Sequence, residues 1–340
     1  MSSHRYALVF LVFISGLTAC SERMQPPVPG QDAAVDAAPD ATPDATPDAT
    51  LDATLDATPD ATPDAAPREA CTGGDTYVYV LNAIDVTEEE PPGVAPGFNL
   101  DDRISDGSDR ESCGHEDFIS PSGEQGIDNQ LVTLIPLVEA LGMIDISTSI
   151  ATSVNSGGLL LLLQLDHVDS LESDDCVDVS VLTGLLPAGV STPVLDGTGR
   201  MAAGQTFDVD GVSYDDMMEP AVRVESVAIA DGVVEAGPVD LTIPLPLGAS
   251  GTLPLTARDA QIRFSLTAGA ISMGLLGGGV TVSELAGAVM GLDIDLPIPD
   301  VAGTLRGYAD LNRTAGVCAS ISVAIEMAGV DAVIGTVRDF

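Results

Sequence analysis

The feature that most constrains folding is a repeat in which an Asp recurs at every fourth position from Asp32 to Asp64, mostly in the unit Asp-Ala-Thr-Pro. Pro at many of these positions prevents a continuous helix, because it lacks a backbone N–H and clashes with the preceding turn. The repeat also offers few large apolar side chains to bury, and its carboxylates repel one another. We therefore predict a disordered tether over residues 20–70, able to reach on the order of 100 Å, and a folded part confined to residues 71–340.

The first 19 residues have the pattern of a secretory signal peptide. His4 and Arg5 precede an apolar run at residues 7–14, and small residues then lead to Cys20. This run is shorter than the roughly 20 apolar residues that a membrane-spanning helix needs. The tetrapeptide Leu-Thr-Ala-Cys at residues 17–20 resembles the lipobox of bacterial lipoproteins. That resemblance implies cleavage after residue 19, lipidation of Cys20 and attachment to a membrane through this lipid, and Ser21 favours the outer membrane.

The charge of the chain excludes one class of partner. There are 52 acidic residues and 12 basic ones, all of them Arg, which gives a formal net charge of −40. Binding to nucleic acid depends on clustered basic side chains, so we expect no nucleic-acid partner. Anionic lipid headgroups would repel the chain for the same reason.

Residues 71–340 have the pattern of β structure. Short runs of β-branched, aromatic and aliphatic residues are bounded by Gly and by Asp-Gly turn signals. We predict a mainly β fold, either a sandwich or a partly open barrel, with one or two short helices. The predicted strands are residues 76–81, 159–165, 177–182, 221–229, 233–247, 261–266 and 271–276. The predicted helices are residues 128–141 and 282–290, the second of which begins with a capping box at residues 281–284.

Four cysteines remain after Cys20, namely Cys71, Cys113, Cys176 and Cys318. An even number of cysteines in an exported chain predicts disulfides, here two. Three pairings are open, although pairing Cys71 with Cys113 and Cys176 with Cys318 closes the smaller loops. The alternative is a metal thiolate at Cys113, but the second spaced pair of ligands that is typical of zinc sites is missing.

Residues 96–130, here called the acidic segment, are irregular and carry nine acidic residues and two Arg. A long stretch without apolar periodicity inside a compact domain is typical of a functional or ion-stapled loop. Calcium binds about six to eight oxygen ligands, so we predict a possible Ca²⁺ site in this loop. Its candidate ligands are Asn99, Asp101, Asp102, Asp106, Asp109 and Asp128. The alternative is a solvated surface loop, and no EF-hand pattern matches.

Several motifs lie in this segment and near the C-terminus. They are Gly-Phe-Asn-Leu-Asp (97–101), Ser-Asp-Gly-Ser (105–108), Cys-Gly-His (113–115), Gly-Ile-Asp-Asn-Gln (126–130), Ala-Asp-Leu-Asn (309–312) and Cys-Ala-Ser-Ile-Ser-Val (318–323). With the Asp/Pro-rich tether they resemble uncharacterised exported lipoproteins of myxobacterial type. The resemblance implies an outer-membrane lipoprotein of the cell envelope, facing the periplasm or the surface, and it implies no activity and no catalytic residue.

Motifs for enzyme chemistry are largely missing from the sequence. The chain has no Lys for a phosphate-binding P-loop and no Gly-x-Ser-x-Gly elbow. His115 and His167 are the two imidazoles left after cleavage, and His115, beside a Cys and two carboxylates, is the better candidate base or ligand. We therefore expect a non-enzymatic binding or scaffold module for a protein, glycan or lipid ligand. The alternatives are an exported hydrolase or metal-dependent enzyme, and a lipid-handling protein whose apolar residues 233–292 line a groove.

The lipobox predicts that lipidation depends on a single thiol. Radiolabelled palmitate should enter the wild-type protein and should be lost completely in Cys20→Ser, because no other side chain replaces the acylated sulfur. The measurement is autoradiography of the immunoprecipitated protein, with equal expression checked by blotting. Label in the Cys20→Ser protein would contradict the assignment.

Overall fold

The computed structural model describes residues 70–86, 89–140, 145–246, 252–291 and 299–338. The predicted signal peptide, Cys20 and the Asp repeat lie outside these residues. Strands dominate the described part, so the predicted mainly β class is confirmed. None of the helices found there has the length and apolar character that crossing a bilayer requires.

The described elements follow one another in this order. The strands are β1 (Asp75–Asp85), β2 (Phe118–Ile119), β3 (Gln125–Ile127), β4 (Leu161–Val168), β5 (Asp174–Leu185), β6 (Gln205–Asp210), β7 (Arg223–Ala230), β8 (Val233–Pro246), β9 (Thr252–Thr267), β10 (Ala270–Thr281) and β11 (Ser320–Arg338). The helices are α1 (Leu131–Ala140), α2 (Ile146–Ser156), α3 (Val282–Met290) and α4 (Val301–Arg306).

Eight antiparallel strands form a barrel-like ring in the order β1, β4, β5, β7, β8, β9, β10 and β11. The ring closes where β11 returns to β1, with Tyr79 opposite Asp331. The weakest contact is between β7 and β8, which pair only at Ile229–Val234 and Ala230–Val233 next to their turn. The fold is therefore the partly open barrel, one of the two forms that the sequence predicts.

β6 lies outside the eight-stranded ring. It pairs in parallel with the second half of β11, with Gln205 opposite Ala332, and antiparallel with the end of β5, with Asp208 opposite Leu185. Because β5 and β11 each change partner along their length, β1, β4, β5, β6 and β11 form a second, smaller ring. Phe207 on β6 is 1% exposed and belongs to the main core.

Apolar side chains from these strands pack into one main core. β9 shows the period-two alternation clearly, since every second residue towards its end, including Ile262, Phe264 and Leu266, is buried. Burying such a side chain contributes roughly 1.5–3 kcal/mol. The apolar stretch of residues 233–292 also suits a lipid groove by sequence, and in its described part β8, β9, β10 and α3 contribute side chains to this core.

The helices show which sequence signals predict helix bounds correctly. α3 has the predicted bounds, and its cap is formed as expected, because Thr281 Oγ1 accepts the Glu284 N–H at 3.2 Å. α1 begins at Leu131 rather than at residue 128, because Asp128 pairs with Phe98, and Asn129 and Gln130 bind β11 instead. The sequence does not predict α2, which buries Ile150 and Val154 and contacts both β1 and β8. These strands lie opposite each other in the ring, so α2 lies across one end of the barrel.

The strand predictions omit the short β2 and β3 and also β6 and β11, although β11 is the longest strand described. All seven predicted strands match observed ones, namely β1, β4, β5, β7, β8, β9 and β10, and β9 begins well before the predicted start. β11 is buried on both faces over residues 320–325, so it lacks the alternation by which a strand is recognised.

The four cysteines form two disulfides, as predicted, but the bonded pairs are not neighbours in the sequence order of the cysteines. Cys71 is bonded to Cys176, and Cys113 is bonded to Cys318. The pairing that closes the smaller loops is therefore wrong. Loop length does not decide the partner here, because the sheet places Cys71, just before β1, near β5 on the far side of β4, and places Cys113 near the start of β11.

The position of β6 in the core predicts a large effect of truncating its aromatic residue. Phe207→Ala should lower the free energy of unfolding by about 3–5 kcal/mol, because it leaves a cavity among fully buried side chains. The matched control is Val212→Ala, at a side chain that is 76% exposed, which should change it by less than about 0.5 kcal/mol. Urea denaturation followed by circular dichroism measures the free energy of unfolding of both variants. Equal changes in the two variants would show that β6 does not belong to the cooperatively folded core.

Candidate functional site

The acidic segment lies on the face of β10 and β11 that points away from the main core. Gly277 and Ala324 belong to this outer face, whereas the adjacent Leu276 and Val323 belong to the main core. Phe98, from the start of the segment, packs against this outer face with Ala324. A β-carbon at Gly277 would lie 2.8 Å from Cδ2 of Phe98. Glycine is therefore needed for the segment to approach the sheet this closely.

We call this contact the seam, defined as the place where residues 96–101 and 126–130 meet residues 275–279, 309–312 and 320–324. Asn129, which is fully buried, is its central side chain. Asn129 Nδ2 donates to the Pro96 carbonyl at 2.7 Å, and the Ala324 N–H donates to Asn129 Oδ1 at 3.1 Å. The Gln130 N–H donates to Ser322 Oγ at 2.8 Å. One side chain thus joins both ends of the acidic segment to β11.

Two carboxyl groups are buried in the same seam. Asp310 accepts hydrogen bonds from the Ser322 N–H, at 2.8 Å, and from the Ser322 hydroxyl. Asp128 accepts the Leu100 N–H at 2.7 Å. Both residues are 3% exposed. Burial raises the pKa of Asp128 to about 8 and the pKa of Asp310 to about 7.

These raised pKa values give stability a pH dependence of definite sign. From pH 3.8, the ordinary pKa, up to about 8 for Asp128 and about 7 for Asp310, the folded chain holds protons on these carboxyls that the unfolded chain has lost. The two groups therefore lower the free energy of unfolding as the pH rises through this window. Asp101 and Asp117 add to the raised pKa of Asp128 as like charges.

The middle of the acidic segment folds on itself and is tied to the barrel. Ser105 Oγ donates to the His115 carbonyl at 2.9 Å, and Ser112 Oγ donates to Ser105 Oγ at 2.7 Å. The Cys113–Cys318 disulfide connects this turn to the residues just before β11. The segment is therefore held at its ends by hydrogen bonds and in its middle by a covalent bond.

The predicted calcium ligands are spread along the segment rather than gathered at one point. Asp128 is in the seam and Asp102 is exposed. The other four accept a backbone N–H from a nearby residue of their own turn, and these are Asn99, Asp101, Asp106 and Asp109. In the part of the chain that the structure describes, no three His, Cys, Asp or Glu side chains are grouped as a metal site needs. The calcium site stays a prediction.

The two histidines lie apart from each other. His115 is half-buried, and burial lowers its pKa. His167, at the end of β4, has Nδ1 3.0 Å from the Gly73 carbonyl and Nε2 3.7 Å from Asp178, which also binds Arg223 at 2.6 Å. Among the described residues neither imidazole contacts a hydroxyl or thiol that a general base would activate.

Two open grooves flank Gly237 on the outer surface of β8. One, of about 460 Å³, lies between the acidic segment and β8–β9, where the Arg263 guanidinium stacks on the Phe98 ring at 5.2 Å. The other, of about 570 Å³, lies where β7 and β8 separate, and its lining includes Glu225 and Glu235. Both are open at the surface and partly acidic.

The seam brings together residues from four of the six sequence motifs, those at residues 97–101, 126–130, 309–312 and 318–323. Asn129, Asp310 and Ser322 are absent from the predicted ligands, although they belong to the motifs at residues 126–130, 309–312 and 318–323. Their contacts are hydrogen bonds to backbone groups, hydroxyls and carboxyls. Such an arrangement fixes a surface in place, and its hydroxyl–carboxyl pair, Ser322 with Asp310, is buried away from solvent.

Comparison with known proteins adds no family. No protein-family model matches the sequence, and searches of curated proteins and of solved structures found no match. The resemblance to exported lipoproteins therefore stays a prediction from the sequence.

The contacts in the seam predict that Asn129 contributes more to the stability of the fold than other side-chain amides of the acidic segment. Asn129→Ala should lower the free energy of unfolding by roughly 1–3 kcal/mol, because the Ala324 N–H and the Pro96 carbonyl would lose their partner in a buried place. The control is Asn99→Ala, whose bonds stay within its own exposed turn and which should cost less than about 1 kcal/mol. Urea denaturation measures the free energy of unfolding of both variants. An equal loss in the two variants would contradict the central role of Asn129 in the seam.

Proposed function

We propose that this protein is a lipid-anchored component of the bacterial outer membrane whose barrel is a rigid, non-enzymatic scaffold that presents the acidic segment to a binding partner. The anchor is proposed from the lipobox at Cys20 and from the tether that follows it. The two disulfides support this location, because disulfides form and persist in oxidising compartments such as the periplasm and the cell surface.

One observation carries the proposed binding role. The acidic segment is bound to the barrel through Phe98, Asn129 and Cys113, while its exposed positions include seven charged residues. The exposed charged residues of the segment are Asp102, Arg103, Asp106, Arg110, Glu111, Glu116 and Glu124. A surface held in one conformation loses little entropy on binding, so fixing it favours affinity.

The chemistry of the partner follows from the charge of that surface. Acidic groups at an interface steer and select a partner that carries cationic groups, and they do so more effectively at low ionic strength. Within the segment Arg103 and Arg110 partly offset its nine acidic residues, and Arg263 and Arg313 of the barrel pair with Glu124 and Glu111. The proposed partner is therefore a cationic component of the cell envelope or of the cell exterior.

The proposed role predicts that binding depends on the exposed acids of the segment and not on acidity in general. The test uses the chain without residues 1–19 and with Cys20→Ser, and measures co-sedimentation with outer-membrane fragments of the producing bacterium. Neutralising three exposed acids of the segment should weaken binding by about tenfold or more. This variant carries Asp102→Asn, Glu116→Gln and Glu124→Gln.

The control neutralises three exposed acids elsewhere on the ectodomain, so the change in net charge is identical. It carries Glu172→Gln, Asp175→Asn and Asp216→Asn, which lie in the β4–β5 turn, on β5 and in the loop before β7. Binding of the control should change by less than about twofold. Equal losses in the two variants, or no binding by the unaltered chain, would refute the role of the segment.

A further inference from the structure

The two disulfides interleave along the chain. In sequence order the cysteines are Cys71, Cys113, Cys176 and Cys318, and the first is bonded to the third and the second to the fourth. The first disulfide spans 105 residues and the second spans 205. Their loops overlap between residues 113 and 176.

This order has a covalent consequence. A peptide bond between residues 71 and 113 lies within the first loop, one between 176 and 318 lies within the second, and one between 113 and 176 lies within both. Hydrolysis of any single one of these bonds adds one water across that bond and leaves both S–S bonds unchanged. The two fragments therefore stay joined. With the smaller-loop pairing, a cut between residues 113 and 176 would separate them.

We infer that the interleaved disulfides make the ectodomain tolerant of cleavage, so that a single cut by an external protease between Cys71 and Cys318 leaves the whole chain attached to its N-terminal anchor. This inference rests on the proposed function, because it assumes a lipid anchor and an ectodomain that external proteases can reach. The disulfides would keep the acidic segment attached to the anchor after a cut, because the segment lies entirely between Cys71 and Cys318.

The positions of the bridged ends agree with this role. Cys71 comes four residues before β1, and Cys318 comes two residues before β11. The bridged part therefore contains every described strand except β11. β11 begins with residues that are buried from Ser320 to Ile325, so its entry into the sheet is shielded from proteases by packing.

Exposed turns occur in each of the three bridged intervals. Gly93 lies in the first, Gly123 in the second and Gly199 in the third. Each of these glycines has a positive φ, and a β-carbon placed on it would meet no atom within 4 Å. Loop tips of this kind are the usual sites of proteolytic cleavage, and they tolerate insertions.

The experiment inserts one recognition sequence for a site-specific protease after Gly93, Gly123 or Gly199, in three separate proteins. Each protein is cleaved to completion, denatured, and run on a gel with and without reductant. We expect each cleaved protein to migrate as one species without reductant and as two fragments with it. Separation of any of the three without reductant would overturn the inference, and separation of the Gly123 protein alone would indicate the smaller-loop pairing.

Cysteine variants give matched controls. With Cys71→Ser and Cys176→Ser, only the Gly93 cut should separate the fragments without reductant. With Cys113→Ser and Cys318→Ser, only the Gly199 cut should do so. If a variant does not fold, the three proteins with all cysteines still decide the outcome. The assay needs no lipid and no partner, so failure of the proposed anchoring or binding would leave its result unchanged.

Discussion

The pairing of the first strand of the barrel with the last is the constraint on which the rest of the structure depends. β1 meets β11 through pairs such as Tyr79 with Asp331, so the eight-stranded ring closes only when nearly the whole described chain is in place. Such long-range pairing is entropically costly and slow to form. The disulfides reduce this entropic cost, because each closes a loop of more than a hundred residues and in the chain-entropy model contributes about 5 kcal/mol. One joins the residues just before β1 to β5, and the other joins the acidic segment to the residues just before β11.

The closed ring leaves the outer face of β10 and β11 to be covered, and the composition of the chain limits how this can be done. A buried carboxylate is usually paired with a base, as Asp178 is with Arg223 at 2.6 Å. With 12 Arg, no Lys and 52 acids, most acids have no such partner. In the seam the solution is different, because Asp128 and Asp310 accept hydrogen bonds from neutral groups, and burial raises their pKa. The raised pKa values favour the neutral carboxyl over the charged carboxylate at both positions, which couples the contact to pH.

The elements that the sequence predicts are those whose signals are local. α3 has a cap at Thr281 and an apolar face, and β8 has turn signals at its start, so the bounds of both agree with prediction to within a residue. β11, the disulfide partners and the seam depend on contacts between distant parts of the chain. Asp310 illustrates the difficulty, because nothing in its neighbourhood distinguishes it from the many other acids until Ser322 and the acidic segment are brought together by the sheet. The cysteine pairing fails for the same reason, since sheet order and not loop length decides which thiols meet.

The acidic segment shows how a long, irregular and highly charged stretch can be fixed without regular structure of its own. β2 and β3 pair over only a few residues, and the other backbone hydrogen bonds within the segment lie in turns and isolated bridges. The segment is attached to the barrel by three kinds of interaction: packing of Phe98 over Gly277, the covalent bond at Cys113, and the buried amide of Asn129. These interactions respond differently to solvent conditions, since packing depends on apolar burial, the disulfide on redox state, and the polar contacts around Asn129 on the protonation of the neighbouring carboxyls. The attachment of the charged surface therefore does not depend on one kind of interaction alone.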